Sequence, residues 1–246
     1  MIKFFRKIRQ KLLSENKFSK YLIYAIGEIV LIVIGILIAL QINTWNQNRL
    51  DNEKQQIILN KFLEDLNQDV SNLKNTMVNV EKKIRVAQNI YNETFNGKLS
   101  NDTINYIQFS SSIINPLTLK ERNQEYVNQI NNLELRNSII EYFYEEEEYE
   151  QHINSLNNLT DKIREFLGKN GAQKLDYIYS KNSLDEIFSQ TNSIYNIEKV
   201  RELKNENDLT NMLFQIRMYS LSVLTSGNNL IEENEKLIEK IKEKIE

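Results

Sequence analysis

The chain of 246 residues contains no cysteine, one proline, six glycines and a single histidine. Without cysteine there is no disulfide, no thiolate metal ligand and no sulfur nucleophile, an absence that suits an oxidising compartment. A metal site built on imidazoles lacks its ligands. So little proline and glycine leaves few interruptions, and Val and Thr are scarce beside Ile, Asn, Lys and Glu. That mix favours long helices over strands. Nothing reads as a phosphate-cradling glycine loop, a nucleophile elbow or a zinc motif. No catalytic, cofactor-binding or metal residue is therefore assigned, and the chain is expected not to be an enzyme. An enzyme with its site in residues 168–206 would have to work without any recognisable motif.

What is present begins with Tyr21–Trp45, YLIYAIGEIVLIVIGILIALQINTW, in which Glu28 is the one charge. From Tyr24 to Trp45 a helix rises about 31 Å, matching a hydrocarbon core of about 30 Å. Tyr21, Tyr24 and Trp45 stand where aromatic rings settle at a membrane interface. The stretch reads as a transmembrane helix over residues 21–45. A cleaved signal peptide is the rival reading. Its apolar region is shorter and ends in a small-x-small site, whereas this run leads into Leu40-Gln41-Ile42-Asn43. An uncleaved signal anchor fits better.

Residues 1–20 place Ile2, Phe5, Ile8 and Leu12 on one helical face and basic residues on the other. They form either a basic amphipathic helix on an anionic leaflet or an unstructured basic tail. Seven of the 31 basic residues and two of the 34 acidic ones lie within residues 1–45, leaving the remainder with 24 against 32, a net of −8. After the span, Arg49 and Lys54 are offset by Asp51 and Glu53. The positive-inside rule then puts the N-terminus in the cytoplasm and residues 46–246 outside it. An acidic body argues against nucleic acid as a partner.

Beyond the span, Leu63, Leu66, Val70, Leu73, Met77, Val80, Ile84, Ala87, Tyr91 and Thr94 alternate steps of three and four, which predicts a long helix with a heptad seam. Asn96-Gly97 reads as its stop. A short helix is expected from Ser100, then a connecting segment through Ser110-Ser111-Ser112 and Asn115-Pro116. Residues 119–167 read as helix broken at Asn131-Asn132, with Ile139, Tyr142, Tyr149, Ile153, Leu156, Ile163 and Leu167 in register and Gly168 and Gly171 at the end. Residues 172–206 are mixed, with Ser183 and Glu186 as a capping box and Tyr177, Tyr179, Phe188 and Tyr195 scattered through them. Asp208–Glu246 reads as one last helix. The expected fold is mainly α: one N-terminal transmembrane helix, then an elongated extracytoplasmic helical bundle with coiled-coil character. In the simplest path the first long helix leaves the membrane, the second returns and the third leaves again. That path puts residues 168–206 near the membrane and the C-terminus far from it, unless the break at Asn131 adds a reversal.

FFRKIRQKLL followed by KYLIYAIGEIVLIVIGILIALQINTWN resembles the opening of a family of uncharacterised single-pass inner-membrane proteins of Gram-negative bacteria. Its members carry a basic segment, a Gly-Glu-Ile start to the membrane helix and a Leu-Gln-Ile-Asn-x-Trp-Asn exit. Residues 126–143 are similar to that family's Leu-Arg-x-x-Ile-x-x-Tyr region, with Asn131-Asn132 where the family often has Ser-Gly. The resemblance implies an inner-membrane location and no assigned activity.

Within the span, Tyr24, Glu28, Leu31, Gly35, Ala39, Ile42 and Asn46 share a stripe. Gly35 and Ala39 form a small-xxx-small pair that lets helices approach closely. An ionisable residue at membrane depth is costly, so Glu28, Gly35 and Ala39 are the candidate oligomerisation or ion site. Glu28 lies about 6 Å inside Tyr24, within reach of snorkelling to the interface or pairing with Lys17 or Lys20. His152 reads as solvated helix surface, and Glu145–Glu148 as a solvated acidic run able to meet a basic partner. The expected function is a membrane-anchored, non-enzymatic scaffold, sensor or assembly subunit whose bundle binds a partner or self-associates. Its partners are anionic inner-leaflet lipid and either further copies of itself or another membrane protein. The alternative is an oligomeric pore or ion-coupled subunit with Glu28 on its axis.

Overall fold

A computed structural model describes residues 18–97, 109–174, 195–203 and 206–245. The basic segment before Phe18, the short helix from Ser100 and the Ser183/Glu186 cap lie outside those residues, as do Tyr177, Tyr179 and Phe188. Among the described residues the chain is mainly α, with no strand and one isolated antiparallel bridge between Gln173 and Tyr195. The helices are α1 (Phe18–Phe95), α2 (Leu119–Val127), α3 (Leu133–Lys169), α4 (Ile197–Glu202) and α5 (Asn207–Ile245). The chain divides into two compact units, one ending at Ile57 and one spanning Ile58–Glu246.

Among the described residues α1, in the first unit, is the one helix long and apolar enough to cross a membrane. Its most apolar 18-residue window has a mean hydropathy of 2.7, and none of that window is buried. A core helix of a soluble domain hides such a run, whereas here Ile23, Ile29, Leu31 and Leu37 all stand open.

In the second unit three helices each bury one unbroken row at steps of four and three. On α1 it is Phe62, Leu66, Asp69, Leu73, Thr76, Val80, Lys83, Ala87, Ile90 and Thr94. On α3 it runs Leu135, Ile139, Tyr142, Glu146, Tyr149, Ile153, Leu156, Thr160, Ile163 and Leu167. On α5 it runs Leu209, Leu213, Ile216, Ser220, Val223, Gly227, Leu230, Asn234, Leu237 and Ile241. Each fully buried Leu, Ile or Phe contributes roughly 1.5–3 kcal/mol, so these rows carry most of the unit's cohesion.

The expected seam on α1 is corrected in one of its two positions. Leu66, Leu73, Val80, Ala87 and Thr94 are buried as read. At the alternate position Met77 is buried as read, whereas Leu63, Val70 and Ile84 are half-buried and Tyr91 is exposed; the buried row itself runs one residue earlier, through Phe62, Asp69, Thr76, Lys83 and Ile90. Asp69 and Lys83 fall outside an apolar pattern because both are charged.

The expected path is also corrected. Tyr142 pairs with Asn234, His152 with Ser226 and Ser138 with Lys240, so α3 and α5 are antiparallel. Lys74 pairs with Glu235 and Gln88 with Arg217, so α5 also opposes α1. Therefore α1 and α3 run parallel. The return is made by the connecting segment and α2. Contacts step down α1 from Lys83 (Phe109, Ser111) through Asn72 (Pro116) and Asp69 (Thr118) to Asp65 (Arg122). Residues 195–203 accordingly share the end of the unit that holds Phe95, with Arg201 on Glu93 at 3.2 Å, and the C-terminal turns of α5 lie toward Asp65 and Asp69 rather than toward Phe95.

The stops fall where the turn residues stand. Gly97 has a φ of 60° two residues after α1 ends. Asn132 caps α3 by accepting from the Leu135 amide at 2.8 Å, which makes the break at Asn131-Asn132 a reversal. At the far end of α3, Gly171 has a φ of 67°. The Gly171 amide donates to the Gly168 carbonyl and that of Ala172 to Leu167, a Schellman closure.

Candidate functional site

Residues 111–118 form no regular structure yet run along helices whose buried faces meet there. Their backbone polar groups need partners, because an unpaired buried amide or carbonyl costs about 1–3 kcal/mol. Side chains supply them. Lys83 Nζ donates to the Phe109 and Ser111 carbonyls, both at 2.7 Å. Arg164 donates to the Ser110 carbonyl at 3.2 Å. Asn157 faces Ile113 like a second backbone: its Nδ2 donates to the carbonyl at 2.8 Å and its Oδ1 accepts from the amide at 2.7 Å. Asn72 reaches the Pro116 carbonyl at 3.4 Å. The segment is a strap held by the helices it crosses.

At its end the strap enters α2, whose first amides have no intrahelical partner. Thr118, the N-cap, makes no side-chain cap bond. Carboxylates from two other helices replace it. Asp69 accepts from the Thr118 amide at 3.3 Å and the Leu119 amide at 3.2 Å, and Glu146 Oε2 accepts from the Lys120 amide at 3.2 Å. Their negative charge also suits the positive end of the α2 dipole. One turn further, Asp65 accepts from Arg122 at 3.0 Å and Asn123 at 2.6 Å. Tyr142 and Asn234, joined at 2.8 Å, extend the polar cluster between α3 and α5.

The cluster is mostly buried and crowded with acid. Burial, and then the charge of Asp69, push the Glu146 carboxyl up to about 8 against the pull of the Lys120 amide. Burial also raises Asp69, with the Thr118 and Leu119 amides opposing and Asp65 adding to the rise. Tyr142 is raised by burial and by Glu146. Glu146 Oε1, Asn123 Oδ1 and Asn234 Oδ1 are buried without a hydrogen-bond partner. At the other end of the strap, burial and then Arg164 bring Lys83 down to about 7, while its two carbonyl acceptors favour the ammonium. Among the described residues, no three Asp, Glu or His side chains are placed to hold a metal ion.

The residues singled out in the sequence lie elsewhere. Glu28 and Tyr24 are half-buried and Trp45 is 66% exposed. Gly35 has nothing within 4 Å of where a Cβ would sit, and Ala39 is exposed beside it. The side chain of Tyr21 is outside the described residues. His152 is half-buried with its Nδ1 3.0 Å from Ser226 Oγ, not solvated surface. Of the acidic run, Glu145, Glu147 and Glu148 are exposed as expected, but Glu146 is 5% exposed because it occupies the buried row of α3. A sequence signal for the missed residues exists. Asp69 and Lys83 lie seven residues either side of Thr76, and Glu146 lies seven from Ile139 and Ile153, inside otherwise apolar rows.

No curated protein and no solved structure matches this chain. Residues 28–93 match a family described as a family of unknown function, DUF6090, so the chain is similar to that family from Glu28 in the apolar stretch to Glu93 near the end of α1.

Proposed function

We propose that the chain is a single-pass inner-membrane protein, N-terminus cytoplasmic, whose unit beyond Ile57 is an extracytoplasmic, non-enzymatic scaffold or assembly subunit. The observation that carries this reading is the wholly unburied apolar window of α1. Fifteen large apolar side chains from Leu22 to Trp45 stand exposed. At about 25 cal/mol per Å² no isolated soluble chain leaves that much apolar surface in water. The seven basic residues among residues 1–20 supply the orientation. The open face at Gly35 and Ala39 leaves room for a second helix, and self-association is assigned there.

The test is extraction and accessibility. The chain should stay in the membrane pellet through alkaline carbonate and leave it only with detergent. Protease added to intact spheroplasts should degrade the C-terminal unit and spare an N-terminal tag. Recovery in the carbonate supernatant, or a protected C-terminal unit, refutes the reading. Gly35→Ile should reduce disulfide-free crosslinking between copies; unchanged crosslinking removes the self-association assignment.

A further inference from the structure

On the outer side of the carboxylate cluster, α2 and α3 leave a groove made of two depressions that share Lys120, Gln124 and Glu147. One end, about 350 Å³, is walled by Glu121, Glu146 and Glu150. The other, about 330 Å³, is walled by Val127, Ile140, Phe143 and Tyr144. Tyr144 is 66% exposed, so its ring is open to a docking side chain. The acidic end holds four carboxylates against one cation, Lys120, which is already paired with Glu147. Independently of the rim, Glu146 is 5% exposed and its Oε1 has no hydrogen-bond partner, although it borders the groove. Burial keeps that carboxyl protonated near neutral pH in the free chain, so a Lys or Arg brought to it displaces the proton and gains a charge-assisted bond to the carboxylate that forms.

A bare metal ion does not suit the place, since no three acidic side chains among the described residues converge on a point. An anionic surface such as a phosphate or a lipid headgroup is repelled. The groove asks for hydrogen-bond donors on a flexible arm, with an apolar group beside them. We propose that the α2–α3 groove docks a basic, extended segment of a partner protein. A Lys or Arg of that segment reaches Glu146 while a neighbouring apolar side chain lies on Phe143 and Tyr144. The two ends are about one and a half turns apart along α3, roughly 8 Å. In an extended chain that separates side chains two residues apart on one face, about 7 Å. The recognised pattern is therefore basic-x-apolar. This site deepens the scaffold reading and rests on the chain being a binding subunit.

The test uses the full chain in detergent micelles and a labelled peptide with one Lys-Ser-Leu-Ser-Lys core flanked by Gly and Ser. Empty micelles serve as the blank, and the readout is fluorescence anisotropy. The peptide should bind saturably at 50 mM salt and at least tenfold more weakly at 500 mM, as screening requires. Replacing its lysines by glutamate should abolish binding. The paired rim variant Glu121→Lys with Glu150→Lys, both on exposed positions, should weaken binding at least tenfold with an unchanged melting profile. Tyr144→Ser should weaken it severalfold. Glu146→Gln should weaken it about tenfold while keeping its shape in the core. No saturable binding, equal binding of the glutamate peptide, or a rim variant that binds like the wild type overturns the proposal. Carbonate extraction of the same preparations reads anchoring separately, so a chain that stays in the membrane but ignores the peptide sinks the docking site alone.

Discussion

Replacing Glu146 by glutamine tests whether the carboxylate cluster stores the strain its geometry implies. Burial and the neighbouring Asp69 hold this carboxyl at about 8 in the folded chain, against 4.5 when exposed. Between those values the folded state keeps a proton that the unfolded state has lost. Stability therefore falls as pH rises from about 4.5, and the full penalty is present above about 8. At about 1.4 kcal/mol per pH unit the ceiling on that loss is about 5 kcal/mol. Glutamine keeps the size and the acceptor for the Lys120 amide without a charge. The variant should match the wild type within about 1 kcal/mol near pH 5 and exceed it by several kcal/mol near pH 9. The measurement is urea unfolding of the full chain in micelles, followed by circular dichroism at half-unit steps from pH 5 to 9. Taking the difference between the two proteins cancels the slope from Lys83 and leaves that of Glu146 with its coupled neighbour Asp69. Parallel stability curves across that window would refute the account of the cluster.

Two other substitutions have outcomes set by the geometry. Lys83→Met leaves the Phe109 and Ser111 carbonyls without their donor, at about 1–3 kcal/mol each, offset in part by removing a buried charge. The folded Lys83 sits at about 7, below its unfolded 10.5, so its cost is present in full below pH 7 and fades as pH rises to 10.5. Melting curves of the wild type should rise relative to Lys83→Met over that interval, and a constant offset would count against it. A Cβ on Gly227 would stand 2.6 Å from Met77 Cε and 3.1 Å from the Tyr149 ring. Gly227→Ala should cost about 1–3 kcal/mol of overpacking, less about 1 kcal/mol of helix propensity. Adding Met77→Ala should make the pair less destabilised than the two single changes summed; strict additivity refutes the clash.

The sequence made the helices legible because each carries a strong local signal. The apolar run of α1, the Asn-Gly stop at residue 97, the Asn132 cap and the Gly171 turn are all decided within a few residues. The cluster was hidden because its burial is decided by chain segments far away. Asp69 is buried for the sake of amides about fifty residues later, and Glu146 for one 26 residues earlier. A reading that assigns charged residues to water places both outside the core and, except at Met77, shifts the alternate α1 seam position by one residue. The path is hidden for a related reason. A connecting segment of Ser, Asn and Pro gives no sign that it returns the full length of the unit, since what holds it there belongs to other helices.

The strap's length turns that arrangement into a last prediction. Asp69 and Lys83 are 14 residues apart, about 21 Å along α1 at 1.5 Å per residue. Between the strap residues they hold, Ser111 and Thr118, lie seven steps, reaching about 23 Å at 3.3 Å each. On these estimates an extended strap only just covers the distance between its clamps, and Pro116, which lacks an amide, costs it nothing. Deleting Ile114, whose side chain is 83% exposed, removes little packing but shortens the reach to about 20 Å. One clamp must then let go, exposing either the two carbonyls at Lys83 or the α2 amides at Asp69, at a cost of about 2–4 kcal/mol. Inserting one glycine after Ile114 adds slack and costs well under 1 kcal/mol, since loop closure depends only weakly on length. Hydrogen exchange at the Leu119 and Ile113 amides and the melting temperature read both changes. The taut-strap geometry fails if insertion is as damaging as deletion, or if deletion is harmless.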